Sequence, residues 1–185
     1  GLINFLSCPL GSFNNVSGST SLKDCTLCPI GNFCPYENMT SYIQCSTGNY
    51  CPYDGMIVPI KCYLGKYNPS IGSKSENDCI PCPIGTFCNV EGLAIPNPCS
   101  QGYYCPSEEL VNPVFCPSGT YNLNTSSTSI KDCLICQLGY YCPYAGTPQP
   151  TICPQGTYCP EGSITTSLCP VGTYNDKTGL QNEEQ

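Results

Sequence analysis

The chain has 185 residues and contains 19 Cys, 18 Gly and 19 Pro, but neither His nor Trp. Six Lys against 13 acidic residues give a net charge of −7, so the chain lacks the basic face of a nucleic-acid binder, and chemistry that requires an imidazole is excluded. About one Cys in ten residues is typical of a secreted disulfide scaffold rather than of a cytosolic protein, and no apolar run approaches the roughly 18 residues of a membrane-spanning helix.

The cysteines follow a repeat of 54 residues. Their gaps are 17, 3, 6, 11, 6 and 11 residues from Cys8, the same series recurs from Cys62, and the series from Cys116 differs only in a last gap of 10. Self-similarity at a fixed period indicates a tandem array. The repeat predicts the end of a preceding module at 1–7, modules at 8–61, 62–115 and 116–168, and the start of a fourth module at 169–185.

A smaller unit, Cys-x-x-Gly-x-aromatic, occurs ten times within these modules. The residue after the aromatic is Asn in the first unit of each module and Cys in the other units. A Gly at a fixed place indicates positive φ or a close backbone approach, and the frequent Pro after Cys disfavours helix. We expect a small disulfide-rich fold of short irregular strand pairs and tight turns, with little helix and an elongated, rod-like shape. Disulfides replace a conventional core, because large aliphatic residues are too scarce to form one.

Two disulfide schemes respect the repeat, and spacing alone does not select one. In the second scheme the 11-residue gaps close, together with the 10-residue gap at the end, and each Cys-x-x-Cys pair forms its own short ring. We favour the first scheme, because such short rings are more typical of redox sites than of structural bridges. In the first scheme each Cys pairs with the Cys 17 residues later: Cys8–Cys25, Cys28–Cys45, Cys34–Cys51, Cys62–Cys79, Cys82–Cys99, Cys88–Cys105, Cys116–Cys133, Cys136–Cys153 and Cys142–Cys159. Cys169 is then expected to be unpaired by truncation, because its partner would be residue 186 of a longer array.

Three other motifs carry candidate chemistry. Asn15, Asn38 and Asn124 begin Asn-x-Ser/Thr sequons without Pro, which predicts N-linked glycans on a secreted chain. An Asp precedes the second Cys of each module (Asp24, Asp78 and Asp132), and we interpret it as a turn cap rather than a calcium ligand, because no second acidic residue recurs nearby. The Cys-x-x-Cys pairs lie too far apart for zinc. We therefore expect no metal, no cofactor and no enzymatic activity.

The unit resembles the Cys-rich repeats of ephrin receptors and related extracellular proteins, as in the strings Cys82-Pro-Ile-Gly-Thr-Phe and Cys153-Pro-Gln-Gly-Thr-Tyr. The pairing order of the first scheme is similar to that of the TNF-receptor Cys-rich module. Arrays of this kind occur in receptor ectodomains and in large extracellular surface proteins of ciliates and other protists. The resemblance implies a secreted or cell-surface location.

The uniformity of the modules favours a structural role, because a repeat stacks on its neighbours and reproduces one geometry many times. We expect a stiff, glycosylated rod in a surface coat or filament, such as the shaft of a flagellar hair. Its partners would be further copies or neighbouring modules, with no nucleic acid and no membrane span in this segment. The alternative is a receptor or adhesion ectodomain that binds a protein ligand.

Overall fold

Each repeat unit begins with a tight turn that its glycine makes possible. A computed structural model describes residues 7–184, so the predicted end of a preceding module at 1–7 lies outside the described residues except for Ser7. In the first unit the Ser12 N–H donates to the Pro9 carbonyl at 3.1 Å, and the same bond recurs in all ten units. The glycine two residues after the accepting residue has φ between +75° and +91° throughout. A type II turn needs positive φ at that place, which explains why it is always Gly.

Nine of the ten turns lead into a two-residue strand that pairs with the two residues immediately before the next unit. All these pairs are antiparallel. The nine pairs within residues 7–184 are β1 (Ser12–Phe13) with β2 (Thr26–Leu27), β3 (Asn32–Phe33) with β4 (Ile43–Gln44), β5 (Asn49–Tyr50) with β6 (Ile60–Lys61), β7 (Lys66–Tyr67) with β8 (Ile80–Pro81), β9 (Thr86–Phe87) with β10 (Asn97–Pro98), β11 (Tyr103–Tyr104) with β12 (Val114–Phe115), β13 (Thr120–Tyr121) with β14 (Leu134–Ile135), β15 (Tyr140–Tyr141) with β16 (Thr151–Ile152), and β17 (Thr157–Tyr158) with β18 (Ser167–Leu168).

The helices between residues 7 and 184 are three single 3-10 turns: Leu22–Asp24, Glu76–Asp78 and Ile130–Asp132. The Asp78 carboxylate accepts the Ser75 N–H at 3.0 Å, and the Ser75 hydroxyl accepts the Asn77 N–H at 3.0 Å. The same reciprocal capping box closes the other two turns. The prediction that the recurring Asp is a turn cap is therefore confirmed, as is the small disulfide-rich fold of short strand pairs with little helix.

The backbone contacts divide the chain into two regions that do not follow the module boundaries. The N-terminal region extends to Cys82 and includes Cys88–Pro96, and the C-terminal region comprises Pro83–Phe87 and the chain from Asn97 onward. The division into 54-residue modules stays a prediction from the sequence.

The backbone of the repeat glycine joins each unit to the next. The Gly102 N–H donates to the Asn122 carbonyl at 2.8 Å, and the Gly102 carbonyl accepts the Cys116 N–H at 2.9 Å. Both of these bonds recur at Gly11, Gly31, Gly48, Gly65, Gly85, Gly119, Gly139 and Gly156. These two bonds between units are therefore made by backbone groups and do not depend on which side chains surround them.

A second position of positive φ lies ten residues after most of the unit-opening cysteines. It is glycine in seven units, whereas Asn38, Glu109 and Ser126 occupy it with φ of 59°, 56° and 57°. We call it the loop glycine position. In eight of the ten units its N–H donates to the carbonyl of the Cys that opens the preceding unit, as from Gly146 to Cys116 at 2.8 Å. The seven glycines are Gly18, Gly55, Gly72, Gly92, Gly146, Gly162 and Gly179.

The two glycine positions also meet in space. A Cβ added to Gly102 would collide with the carbonyl oxygen of Gly146, two units further along. Gly31 and Gly119 have the same kind of neighbour, since their added Cβ atoms would lie 2.6 Å from the Gly72 carbonyl oxygen and 2.7 Å from that of Gly162. The backbone approach of the units therefore requires glycine for space as well as for φ.

Gly102→Ala and Gly156→Ala separate these two requirements. Both glycines have φ near +80°, but an added Cβ at Gly156 has no neighbour within 4 Å. We expect Gly156→Ala to cost about 1–2 kcal/mol from the left-handed conformation alone, and Gly102→Ala to cost more because the Gly146 carbonyl must move. Guanidinium unfolding with the disulfides intact measures both, and equal losses would show that the close approach is unimportant.

Candidate functional site

The disulfides fall into two classes. Three join cysteines 17 residues apart, as the first scheme predicts: Cys8–Cys25, Cys62–Cys79 and Cys116–Cys133. Six join cysteines six residues apart: Cys28–Cys34, Cys45–Cys51, Cys82–Cys88, Cys99–Cys105, Cys136–Cys142 and Cys153–Cys159. Within residues 7–184, only Cys169 is outside a disulfide, and it is partly exposed.

The other six predicted pairings need correction. Neither the 17-residue bridges of these units nor the rings and 11-residue bridges of the second scheme are found. The pairings that the structure replaces are Cys28–Cys45, Cys34–Cys51, Cys82–Cys99, Cys88–Cys105, Cys136–Cys153 and Cys142–Cys159.

The tight turn is the physical reason for the short bridges. In the second unit the chain reverses at the bond from the Asn32 N–H to the Pro29 carbonyl, 3.0 Å long. This reversal brings Cys28 and Cys34 to opposite sides of the turn, with their Cα atoms 6.1 Å apart. Such a separation is ordinary for a disulfide. Spacing alone does not predict this bridge, because it does not give the path of the chain through the turn.

An Asn takes the place of the second cysteine in the units with long bridges. Asn68 and Asn122 occupy the position after the aromatic residue and are fully buried. The Asn122 Nδ2 donates to the Ser127 hydroxyl at 2.8 Å and to the Tyr103 carbonyl of the preceding unit at 2.9 Å, while its Oδ1 accepts the Asn124 N–H at 3.0 Å. Asn68 makes the equivalent three bonds with Ser73, Asn49 and Ser70.

The hydrogen bonds of these amides take the place of the short disulfide that the other units have. Loss of the side chain would leave a buried hydroxyl and a carbonyl without this partner, at a cost of about 1–3 kcal/mol for each unsatisfied group. Because Asn cannot pair with the unit-opening cysteine, that cysteine bonds across the longer loop instead. The residue after the aromatic therefore selects which disulfide a unit forms.

Cysteines make up most of the buried side chains in the described chain. All 12 cysteines of the short bridges have no exposed surface, and the large buried apolar residues beside the cysteines in the described chain are Tyr50, Tyr121 and Leu180. Tyr50 packs against Cys62 and Cys79, and Tyr121 packs against Cys136 and Cys142. Burial raises the pKa of the Tyr50 phenol, and the negative charge of Glu76 raises it further. The disulfides thus supply both the covalent links and the core.

The three sequon asparagines lie at the surface. Asn15, Asn38 and Asn124 are all exposed, and Asn15 and Asn124 occupy the same kind of long loop. Asn38 stands at the loop glycine position, where its main-chain N–H donates to the Cys8 carbonyl at 2.8 Å. The backbone of Asn38 is therefore held by a hydrogen bond, and all three sequon side chains are exposed.

Two surface cavities are lined mainly by hydroxyl and amide groups, and Lys74 and Asp78 also line the second of them. One lies among Ser19, Ser21 and Thr40, and another among Ser70, Ser73 and Asn77. In the part of the chain that the structure describes, no three Cys, Asp or Glu side chains converge as metal ligands. No helix between residues 7 and 184 has the length and apolar character needed to cross a bilayer.

Comparisons with protein-family models and with curated proteins find no match for this chain. The bridges between residues 7 and 184 nevertheless indicate an oxidising compartment, because so many disulfides do not persist in a reducing cytosol.

Asn68→Cys should redirect a disulfide. It places a thiol where the short-bridge units have one, so we expect Cys62 to bond to the new cysteine and Cys79 to become free. Non-reducing peptide mapping distinguishes the two bridges. Ser70→Cys is the matched control, because it adds a thiol nearby at an exposed place and should leave Cys62–Cys79 intact. Retention of Cys62–Cys79 in Asn68→Cys would mean that the Asn does not select the pairing.

Proposed function

We propose that the chain is a non-catalytic extracellular structural protein that forms a stiff, disulfide-linked array in a surface coat or filament. The observation that carries this proposal is the contact between successive units. The repeat glycines bond to the next unit through the same two backbone groups, and the units that contain them are each closed by a disulfide. Contacts that repeat with the next one or two units along the chain are the physical basis of an extendable array.

The ephrin-receptor-like resemblance supports an extracellular location in this proposal. A receptor would require one module with an unrepeated set of anchoring residues at its centre. Repetition of the same turn, pairing and bridge in unit after unit instead favours a shape that is reproduced along the chain.

Electron microscopy of the native material tests the structural role. We expect ordered filaments or a regular coat with a spacing that is set by the repeat. Isolated molecules that capture a soluble protein ligand at one-to-one stoichiometry would instead support the receptor alternative.

Glycosylation is part of the proposal, because Asn15, Asn38 and Asn124 are exposed acceptors on a chain from an oxidising compartment. Glycans would cover the loops and protect them from proteolysis. Enzymatic removal of N-linked glycans from the native protein should lower its mass and convert each occupied Asn to Asp. An unchanged mass would remove this part of the proposal, and Asn→Gln at each position identifies which site is occupied.

A further inference from the structure

One face of the successive hairpins changes its chemistry between the two regions. In every hairpin the fourth residue after a unit-opening Cys stands directly opposite the residue before the next Cys, as Asn49 does opposite Lys61. Directly opposed residues of an antiparallel pair point to the same face. The nine hairpins therefore offer nine structurally equivalent pairs of positions that can be compared with one another.

In the N-terminal region this face is mostly polar. Its pairs are Ser12 with Leu27, Asn32 with Gln44, Asn49 with Lys61, and Lys66 with Pro81. Since polar and charged residues fill six of these eight positions, the fold does not require apolar side chains there.

In the C-terminal region the same face becomes apolar and aromatic. Six residues form what we call the apolar ribbon: Tyr103, Phe115, Ile135, Tyr140, Ile152 and Leu168. The other residues of the face in this region are Thr86, Pro98, Thr120 and Thr157. No position of this face carries a charge between β9 and β18.

Four of the six side chains of the apolar ribbon are open to solvent, whereas Tyr103 and Tyr140 are partly buried and Tyr140 packs against the buried cluster of Tyr121, Cys136 and Cys142. Leu168 is 79% exposed, Ile135 57%, Phe115 54% and Ile152 45%. The Tyr103 ring lies against Phe115 with the ring centroids 4.8 Å apart. The exposed side chains therefore form a surface and not an interior.

The residues of the apolar ribbon follow the order of the units. Phe115, Ile135 and Ile152 lie beside the loop glycines of the units that follow them, which are Gly146, Gly162 and Gly179. Those glycines donate in turn to the carbonyls of Cys116, Cys136 and Cys153. The same series of backbone hydrogen bonds thus positions these exposed side chains in successive units.

Charge and area indicate what covers the apolar ribbon. The acidic residues of the C-terminal region outnumber its lysines by seven to two, and all of them lie outside the strands. The like charge of two copies of this region weakens their association, and it does so least where the uncharged ribbons meet, because no like charges are then brought into direct contact. The ribbon exposes roughly 500 Å² of apolar surface, at the upper end of patches on ordinary monomers. Two ribbons in contact would bury about 1,000 Å², the lower limit for a specific interface.

We propose that the apolar ribbon is the surface through which two copies of this chain associate. This inference rests on the proposed structural role and names the partner within it. The contact is weak for one pair of ribbons, and the N-terminal region does not take part because its equivalent face is polar and carries Lys61 and Lys66. Repetition of the ribbon along an array would strengthen the association without any new type of contact.

The test replaces two residues of the apolar ribbon by the polar residues found at the equivalent positions of the N-terminal region. Ile135→Gln combined with Ile152→Lys introduces residues that stand at equivalent positions in the N-terminal region, Gln44 and Lys61, so folding should be retained. Sedimentation velocity of the full chain over a range of concentrations, with the disulfides verified by peptide mapping, measures association. We expect reversible dimers of the unchanged chain and a dissociation constant at least about tenfold higher for the double variant.

The matched control is Leu123→Gln combined with Ile130→Lys. These two residues are exposed to a similar extent, 49% and 54%, but lie outside the apolar ribbon. Their replacement should leave the dissociation constant within about twofold. A second variant, Gln44→Ile with Lys61→Ile, places apolar residues at the equivalent positions of the N-terminal region and should strengthen association.

The outcomes separate this contact from the structural role. A chain that stays monomeric at all concentrations, or a double variant that associates as strongly as the unchanged chain, overturns the contact. Filaments observed by electron microscopy would then be held by a different surface, and the structural role would stand. Dimers that depend on the apolar ribbon, without any filaments or coat, would instead support the contact and contradict the structural role.

Discussion

The repeat glycine is the residue on which each unit depends. Its positive φ permits the type II turn, and the turn brings the two cysteines of a short bridge to opposite sides of the chain reversal. Its N–H and carbonyl both bond to the next unit, and in most of the units an added Cβ would collide with a carbonyl two units further along. Turn, disulfide and stacking are therefore consequences of one backbone conformation that glycine alone adopts without strain. Hydrophobic burial contributes less here than in ordinary domains, because cysteines occupy most of the interior.

Asn and Cys close the unit in two different ways at the position after the aromatic residue. A Cys closes the unit by a covalent bond over six residues, and a buried Asn closes it by three hydrogen bonds, as at Asn122. The exchange frees the unit-opening cysteine for a longer bridge, which encloses a loop with a 3-10 turn and, at Asn15 and Asn124, a sequon. The alternation of the two closures is what gives the array its 54-residue period. Polar hydrogen bonding and covalent bonding thus define two loop lengths within one fold.

The sequence was sufficient for the unit, its glycine, the short strand pairs and the capping Asp, because each of these has a local cause that a fixed spacing reveals. It was not sufficient for the short disulfides. Cys28 lies six residues from Cys34 and 17 from Cys45, and the repeat is compatible with either partner until the path of the chain through the turn is known. The loop glycine position was overlooked for a related reason, since Asn38, Glu109 and Ser126 interrupt it. The apolar ribbon required the strand register, because Phe115 and Ile135 become equivalent only when they are placed opposite Tyr103 and Thr120.

The backbone hydrogen bonds between units have a consequence for the evolution of the sequence. Since the bonds between units involve main-chain groups, most side chains outside the cysteines, the two glycine positions and the buried amides are free to vary without loss of the fold. Duplication or deletion of whole units leaves every remaining contact of the same kind in place. The length of the molecule is then a matter of copy number, whereas its surface chemistry can diverge from one stretch to the next, as the polar and apolar forms of the same hairpin face already do.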